Sequence, residues 1–406
     1  MASINRDAPA VEVIPTRGGG VSRSTTGGLA GVMTSGPVTI VEAMRTLAVA
    51  AAATLLVATG GATTPSELRR DVEALRATGV TGVLARLESR TGARVVRSGR
   101  DVPHDPYLRI GSTTKTFTAV VVLQLVGEGR LTLDDQVDKW LPGVVAGRRI
   151  SVRQLLQHTS GLYDYSSDLI GNYVTPESYL RERDRPYAPE QLVTIAMGHP
   201  HGGTTWSYSN TNYVLAGMLI TAVTGRSWAR EVDARITGPL GLRRTRTGFV
   251  RDLPAPHATN HMQFTPGGPL VDTTIAIRGL DSGADGSMTS TASDLNRFLA
   301  ALAGGRLLRP AQQAQMRTLV AAADSPVGSG YGLGIFWIPL SCGGGYWRHG
   351  GTGFGYQVEP AFTDDGRRLT VSIFTNTGDP ELAATRQDLL NDLVDHAFCQ
   401  TVSAHS

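Results

Sequence analysis

The segments of this chain that read as strands gather near its two ends, and the helical ones lie between them. Residues 82–87 and 93–97 are short β-rich runs around an Arg90-Thr91-Gly92 turn. Residues 330–336, 346–350, 356–362 and 370–376 are strand-like as well, with Asp364-Asp365-Gly366 as a hairpin turn. Between them, residues 117–126 form an apolar run too long for a typical strand, closed by Gly127-Glu128-Gly129, which predicts a buried helix. Helical patterns recur at 152–158, 212–223 and 293–302, and a last helix is expected over 380–398. Few architectures suit that order. The economical one is an α/β fold with a single sheet built from both ends, flanked by helices. It predicts a sheet-containing domain from 63–115 and 326–400, and a mostly helical domain from 116–325. No internal repeat and no linker divides the chain.

The stretch before this region has a different character. Residues 47–58 are strongly apolar, preceded by Met44-Arg45 and followed by Thr59-Gly60-Gly61-Ala62. A dozen apolar residues is short of the roughly 20 that span a membrane. A basic residue, a short apolar run and small residues predict a secretory signal peptide over 44–62. Residues 1–43 show no periodicity and are expected to be an unstructured or wrongly assigned extension. Beyond the signal, Thr64-Pro65-Ser66-Glu67 predicts a helix start, with Thr64 as cap. The two cysteines, Cys342 and Cys399, fit export if they form one disulfide; two buried thiols are the alternative. With only two cysteines and scattered histidines, no zinc pattern is present. Net charge is +3 with 18% charged residues, and the arginines are spread among 35 acids. That balance gives no nucleic-acid footprint. The 41% hydrophobic content excludes disorder as the general state.

Only two lysines occur, Lys115 and Lys139. Any motif that needs lysine has two places to be. No His-Glu-x-x-His, Gly-x-Ser-x-Gly or phosphate loop is present. Ser112-Thr113-Thr114-Lys115 opens the buried helix. A serine and a lysine three apart share one helix face. Burial disfavours the ammonium, so a neutral amine there can take the serine proton and create a nucleophile. Lys139 follows Asp134, Asp135 and Asp138 and reads as a solvated charge. A second element is Tyr208-Ser209-Asn210: a phenol to shuttle a proton and an amide to meet a substrate amide. A third is His349-Gly350-Gly351-Thr352, a Gly-rich edge on which substrate can pair as an added strand. His201-Gly202-Gly203 matches this third pattern too, so the order of the three elements carries the weight.

In that order the chain resembles the serine β-lactamases and penicillin-binding proteins. It looks most like secreted D-Ala-D-Ala carboxypeptidases related to class C β-lactamases. The segments Ile110-Gly111-Ser112, His158-Thr159-Ser160-Gly161-Leu162, Tyr208-Ser209-Asn210-Thr211-Asn212-Tyr213 and Ser290-Thr291-Ala292-Ser293-Asp294-Leu295 carry the likeness. The resemblance implies a β-lactamase-like fold and acylation of Ser112, with Lys115 and Tyr208 sharing acid–base work. It implies that Asn210 orients the substrate amide and that His349 helps hold the phenol's polar network. Gly350, Gly351 and Thr352 would then lie along substrate, with the backbone N–H groups of Ser112 and Thr352 as the oxyanion hole. The cysteine pair also fits that group. No metal or cofactor is implied. The expected partners are a peptidoglycan stem peptide and β-lactams as covalent ligands, not nucleic acid. The expected state is a secreted monomer without a stable membrane anchor.

The sequence departs from that group at one strand. Related carboxypeptidases carry an arginine where Ile335-Phe336-Trp337-Ile338 has no cation. Gly350 is often threonine there. Arg348 neighbours His349 on a strand and so points the other way. Phe336 and Trp337 are either core aromatics or suited to a less charged leaving group. The expectation is therefore a serine D-Ala-D-Ala carboxypeptidase or transpeptidase. A β-lactamase, an esterase or a D-amino-acid amidase with the same machinery is the alternative. The intact Ser112, Lys115 and Tyr208 set argues against a non-catalytic peptidoglycan-binding module.

Overall fold

The computed structural model describes residues 66–90, 92–280, 283–322 and 330–403. The expected extension, the signal segment and the Thr64 cap lie outside the described residues, as does Thr91 of the first turn. The first described helix, Glu67–Ala77, has Ser66 at its N-cap.

Fourteen strands are named here in chain order: β1 (Gly82–Ser89), β2 (Gly92–Gly99), β3 (Leu108–Arg109), β4 (His261–Gln263), β5 (Leu270–Asp272), β6 (Thr289–Ser290) and β7 (Val320–Ala321), then β8 (Gly330–Tyr331), β9 (Phe336–Pro339), β10 (Gly345–Arg348), β11 (Gly351–Gly353), β12 (Tyr356–Thr363), β13 (Arg368–Ile373) and β14 (Thr375–Thr377). The main sheet runs β2-β1-β13-β12-β10-β9-β8-β7, and β11 also pairs with β12. Its ladders are antiparallel. The hairpin from the front of the chain thus joins the strands from its back, with Val83 opposite Ile373 and Leu87 opposite Leu369. That is the sheet expected from the sequence.

Side-chain alternation gives the sheet two apolar faces. Val83, Ala85 and Leu87 pack with Val371, Ile373 and the helices Glu67–Ala77 and Pro380–Ser403. Leu84, Val358 and Phe362 face the other way, onto the larger helical core. The centre of that core is the helix Thr114–Gly127, buried on every side from Thr114 to Leu123. A helix apolar all round has no solvent face to keep. Phe117 stacks on Phe298 of the helix Ala292–Ala303, with ring centroids 3.7 Å apart. A disulfide joins Cys342, between β9 and β10, to Cys399 on the last helix.

Two strand boundaries differ from expectation. The run 330–336 is not one strand: it leaves the sheet after Tyr331 and re-enters at Phe336. The excursion lowers Gly334 onto the buried helix, where its carbonyl accepts from the Thr116 hydroxyl at 2.8 Å and its N–H donates to Leu156 O. The run 370–376 breaks at Phe374, which separates β13 from β14; β14 pairs with β4 instead.

Candidate active site

Gly111, Ser112 and Thr113 form a single 3-10 turn that leads into the helix Thr114–Gly127. Gly111 has φ +47°, a conformation that favours glycine. The turn puts Ser112 at the mouth of a cleft and sends Lys115 inward, where it is fully buried. The lysine Nζ lies 2.9 Å from Ser112 Oγ, and it donates to Asn210 Oδ1 at 2.6 Å and to the Asp285 carbonyl at 2.7 Å. Two of these partners are pure acceptors. The third is the serine hydroxyl, which can give a proton back. Burial pulls the amine down to about 8, partly offset by the Asp285 and Asp164 carboxylates. Tyr208 Oη donates to the same Ser112 Oγ at 2.9 Å. Desolvation pushes its phenol well above the ordinary range, so it stays protonated. The serine oxygen is therefore held between an amine able to accept a proton and a protonated phenol that donates to it.

Tyr208 sits on the loop just before the helix Asn210–Thr224, and Asn210 is that helix's first residue. The Asn210 amide is engaged at both ends. Its oxygen holds Lys115, and its nitrogen donates to Asp164 at 3.0 Å and to Ser166 Oγ at 3.1 Å. Its place here is that of a bridge between the lysine and a carboxylate. The sequence reading missed both Asp164 and Asp285. Asp285 is fully buried, and burial raises its carboxyl; the Tyr165 hydroxyl donates to it at 2.7 Å.

On the opposite wall, β11 lies against the serine turn. The Thr113 hydroxyl donates to His349 O at 2.7 Å. A Cβ built on Gly351 would overlap the Ile110 carbonyl oxygen, so only glycine lets the strand come this close. A Cβ at Gly111 would lie 3.3 Å from Thr352 N. The backbone N–H groups of Ser112 and Thr352 are thereby neighbours across the cleft. Gly350 packs against the Glu359 carboxylate. That carboxylate is ion-paired with Arg348 at 2.7 Å, and both side chains are buried. The arginine beside His349 thus serves Glu359 and not the cleft.

His349 differs from expectation. It does not hydrogen-bond to Tyr208; their ring centroids are 6.3 Å apart. Its Nδ1 instead donates to its neighbour's carbonyl, Gly350 O, at 2.9 Å. Burial, with Lys115 nearby, pulls the imidazole down to about 3, so it is neutral. Phe336 is a core aromatic, packed edge-on against Tyr331 at 4.4 Å.

The cleft beside Ser112 encloses about 260 Å³. Its walls include Ile170, Met262, Ile277, Leu280 and Phe354, and among the described residues no arginine, lysine or histidine lines it. Among the described residues no cluster of three or more potential metal ligands occurs.

A serine oxygen held between a buried amine and a phenol is the arrangement of a serine hydrolase. The family model described as Beta-lactamase matches residues 11–395. The chain belongs to the beta-lactamase family. It is 28% identical over 231 residues to penicillin-binding protein 4* of Bacillus subtilis, covering 50% of this chain and 46% of that protein. The chain thus spans about half the length of that relative. It is 26% identical over 338 residues to esterase EstB of Burkholderia gladioli, covering 73% of this chain and 84% of the esterase. Among solved structures, a D-stereospecific amidohydrolase from Streptomyces is 38% identical with a TM-score of 0.73. That match covers 82% of this chain and 98% of the amidohydrolase.

Proposed function

We propose that this serine hydrolase cleaves amides or esters of D-configured, apolar amino acids through an acyl-enzyme on Ser112, with an uncharged leaving group. The observation that carries the reading is the charge of the cleft. Among the described residues its lining holds Asp285 and no cation, Lys115 lies buried behind Ser112 with its three bonds taken, and Arg348 is committed to Glu359. A terminal carboxylate on the leaving group would meet no counter-charge there. The apolar side chains of Ile170, Met262, Ile277, Leu280 and Phe354 suit an apolar substrate side chain. The likeness to the D-stereospecific amidohydrolase supports the configuration.

In this reading Lys115 takes the Ser112 proton as Oγ bonds to the substrate carbonyl carbon. The backbone N–H groups of Ser112 and Thr352 receive the oxyanion. The intermediate collapses with loss of the amine or alcohol, which regains the proton from Lys115 by way of the Tyr208 hydroxyl. Water then attacks the ester, its proton passes by the reverse route to Lys115, and Lys115 returns a proton to Oγ as Ser112 leaves the acyl carbon. β-Lactams, as strained amides, would acylate the same oxygen. Export guided by residues 44–62 belongs to the same proposal and is supported by the disulfide.

A second reading, a D-Ala-D-Ala carboxypeptidase acting on peptidoglycan stem peptides, is favoured by the penicillin-binding relative. One substrate comparison separates the two. D-Phenylalaninamide and its methyl ester should turn over rapidly, the L-enantiomers slowly, and a diacyl-Lys-D-Ala-D-Ala peptide should release little D-alanine. Faster D-alanine release than amide or ester cleavage overturns the first reading in favour of the second.

A further inference from the structure

His158 occupies the C-cap of the helix Val152–Gln157 with φ +59°, and it is fully buried. Its backbone carbonyl accepts from Ser207 N–H at 2.8 Å. Its Nδ1 faces Ser209 N–H at 3.2 Å and the Asn212 amide nitrogen at 3.1 Å. Both of those groups are donors, so Nδ1 is the unprotonated nitrogen and Nε2 carries the hydrogen. The imidazole ring lies against the Tyr208 ring, with centroids 4.3 Å apart. One residue therefore grips the chain immediately before and after Tyr208 and touches its side chain between.

We infer that His158 is a positioning residue that sets the Tyr208 phenol over Ser112 Oγ. The inference rests on the proposed acid–base role of Tyr208. Asn212 is itself held by Ser160, whose hydroxyl donates to Asn212 Oδ1 at 2.5 Å, so the donor facing Nδ1 is fixed. Burial, with Lys115 and His349 nearby, keeps the imidazole neutral and its acceptor in place. The left-handed backbone matters too. It turns the chain out of the helix so that carbonyl and Nδ1 reach the same loop. Histidine, asparagine and glycine tolerate that conformation better than most residues.

The test uses two variants that keep the backbone. His158→Gly removes the side chain, and His158→Asn restores an acceptor near the position of Nδ1. Both are assayed on D-phenylalanine p-nitroanilide, with near-UV circular dichroism to check the fold. His158→Gly should lower kcat about 10- to 100-fold with KM within about twofold, as expected for a misplaced group. His158→Asn should recover to within about fivefold of wild type. In a Tyr208→Phe background, His158→Gly should cost less than about a further twofold, because a positioning residue has nothing left to position. A folded His158→Gly enzyme with wild-type kcat overturns the inference, as does His158→Asn no better than His158→Gly. A full additional loss in the Tyr208→Phe background overturns it as well, since the role is then independent of the phenol. Should Tyr208→Phe alone keep wild-type kcat, the acid–base reading of Tyr208 fails, and the inference with it. If His158→Gly does not fold, the His158→Asn kcat alone decides: a loss beyond about tenfold with unchanged fold contradicts the acceptor's role.

Discussion

Lys115 and Ser112 stand one helical turn apart, 2.9 Å between nitrogen and oxygen, and that contact is one of three that exhaust the lysine's bonding capacity. With Asn210 Oδ1 and the Asp285 carbonyl as fixed acceptors, a neutral Nζ has its lone pair left for the serine hydroxyl.

The amine is held at about 8, so its base form is the minority at neutral pH. Catalysis should therefore strengthen as pH rises through about 8, where the ammonium loses its proton. The kcat/KM profile of a D-amino-acid ester, corrected for spontaneous hydrolysis, checks this. Lys115→Arg should lose about 10³-fold and show no such limb, since arginine does not release a proton. A limb that survives in Lys115→Arg would assign it to another group.

Gly351→Ala should disable the site from the opposite wall. Its new methyl must push against the Ile110 carbonyl, moving β11 away from the serine turn and separating the Ser112 and Thr352 N–H groups. Loss of one oxyanion donor is worth about 10²-fold in kcat. Single-turnover acylation by a fluorescent penicillin reads the step directly, and an unchanged rate would remove these N–H groups from the mechanism.

Gly350→Ala tests a different contact. Its Cβ meets the Glu359 carboxylate and must displace it from Arg348. A buried guanidinium without its partner costs about 3–5 kcal/mol, so urea denaturation should show a loss of that order. The combined Gly350→Ala, Arg348→Met, Glu359→Leu variant should regain much of it. Equal stability of Gly350→Ala and wild type would show that Glu359 relaxes freely.

The Cys342–Cys399 bridge closes a loop of sequence separation 57 and ties the last helix to the turn between β9 and β10. Replacing both cysteines by alanine should lower stability by about 4 kcal/mol on the chain-entropy argument. Ser112, Lys115 and Tyr208 lie on other elements, so kcat at 25 °C should be nearly unchanged. Calorimetry with and without reductant gives the first number, and the ester assay the second.

The Ser112–Lys115 pair was legible because both residues lie on one helix, where spacing of three fixes their common face. The two-ended sheet was legible because its strands carry period-two patterns and a turn between β12 and β13. The rest depends on contacts that no local pattern encodes. The lysine's third partner is the backbone of Asp285, and a backbone carbonyl has no residue type to recognise. Asp164 reaches the site through Asn210, 46 residues away. The break at 332–335 exists because Gly334 must meet a helix from the other half of the chain. His349 was assigned to the phenol by resemblance, and its Nδ1 found its own neighbour's carbonyl instead. His158 was visible only as part of a motif, because its value lies in a left-handed turn that brings two acceptors to one loop.

The hydrogen bond from Thr113 to the His349 carbonyl spans 236 positions of sequence. It fastens the nucleophile's turn to a strand that the ribosome makes more than half a chain later. In the proposed mechanism, a chain without that segment has Lys115 beside Ser112 but not the Thr352 N–H that would receive the oxyanion. On that reading, hydrolysis would require the molecule to be assembled through Thr352. Activity would then report that folding has reached the far side of the sheet.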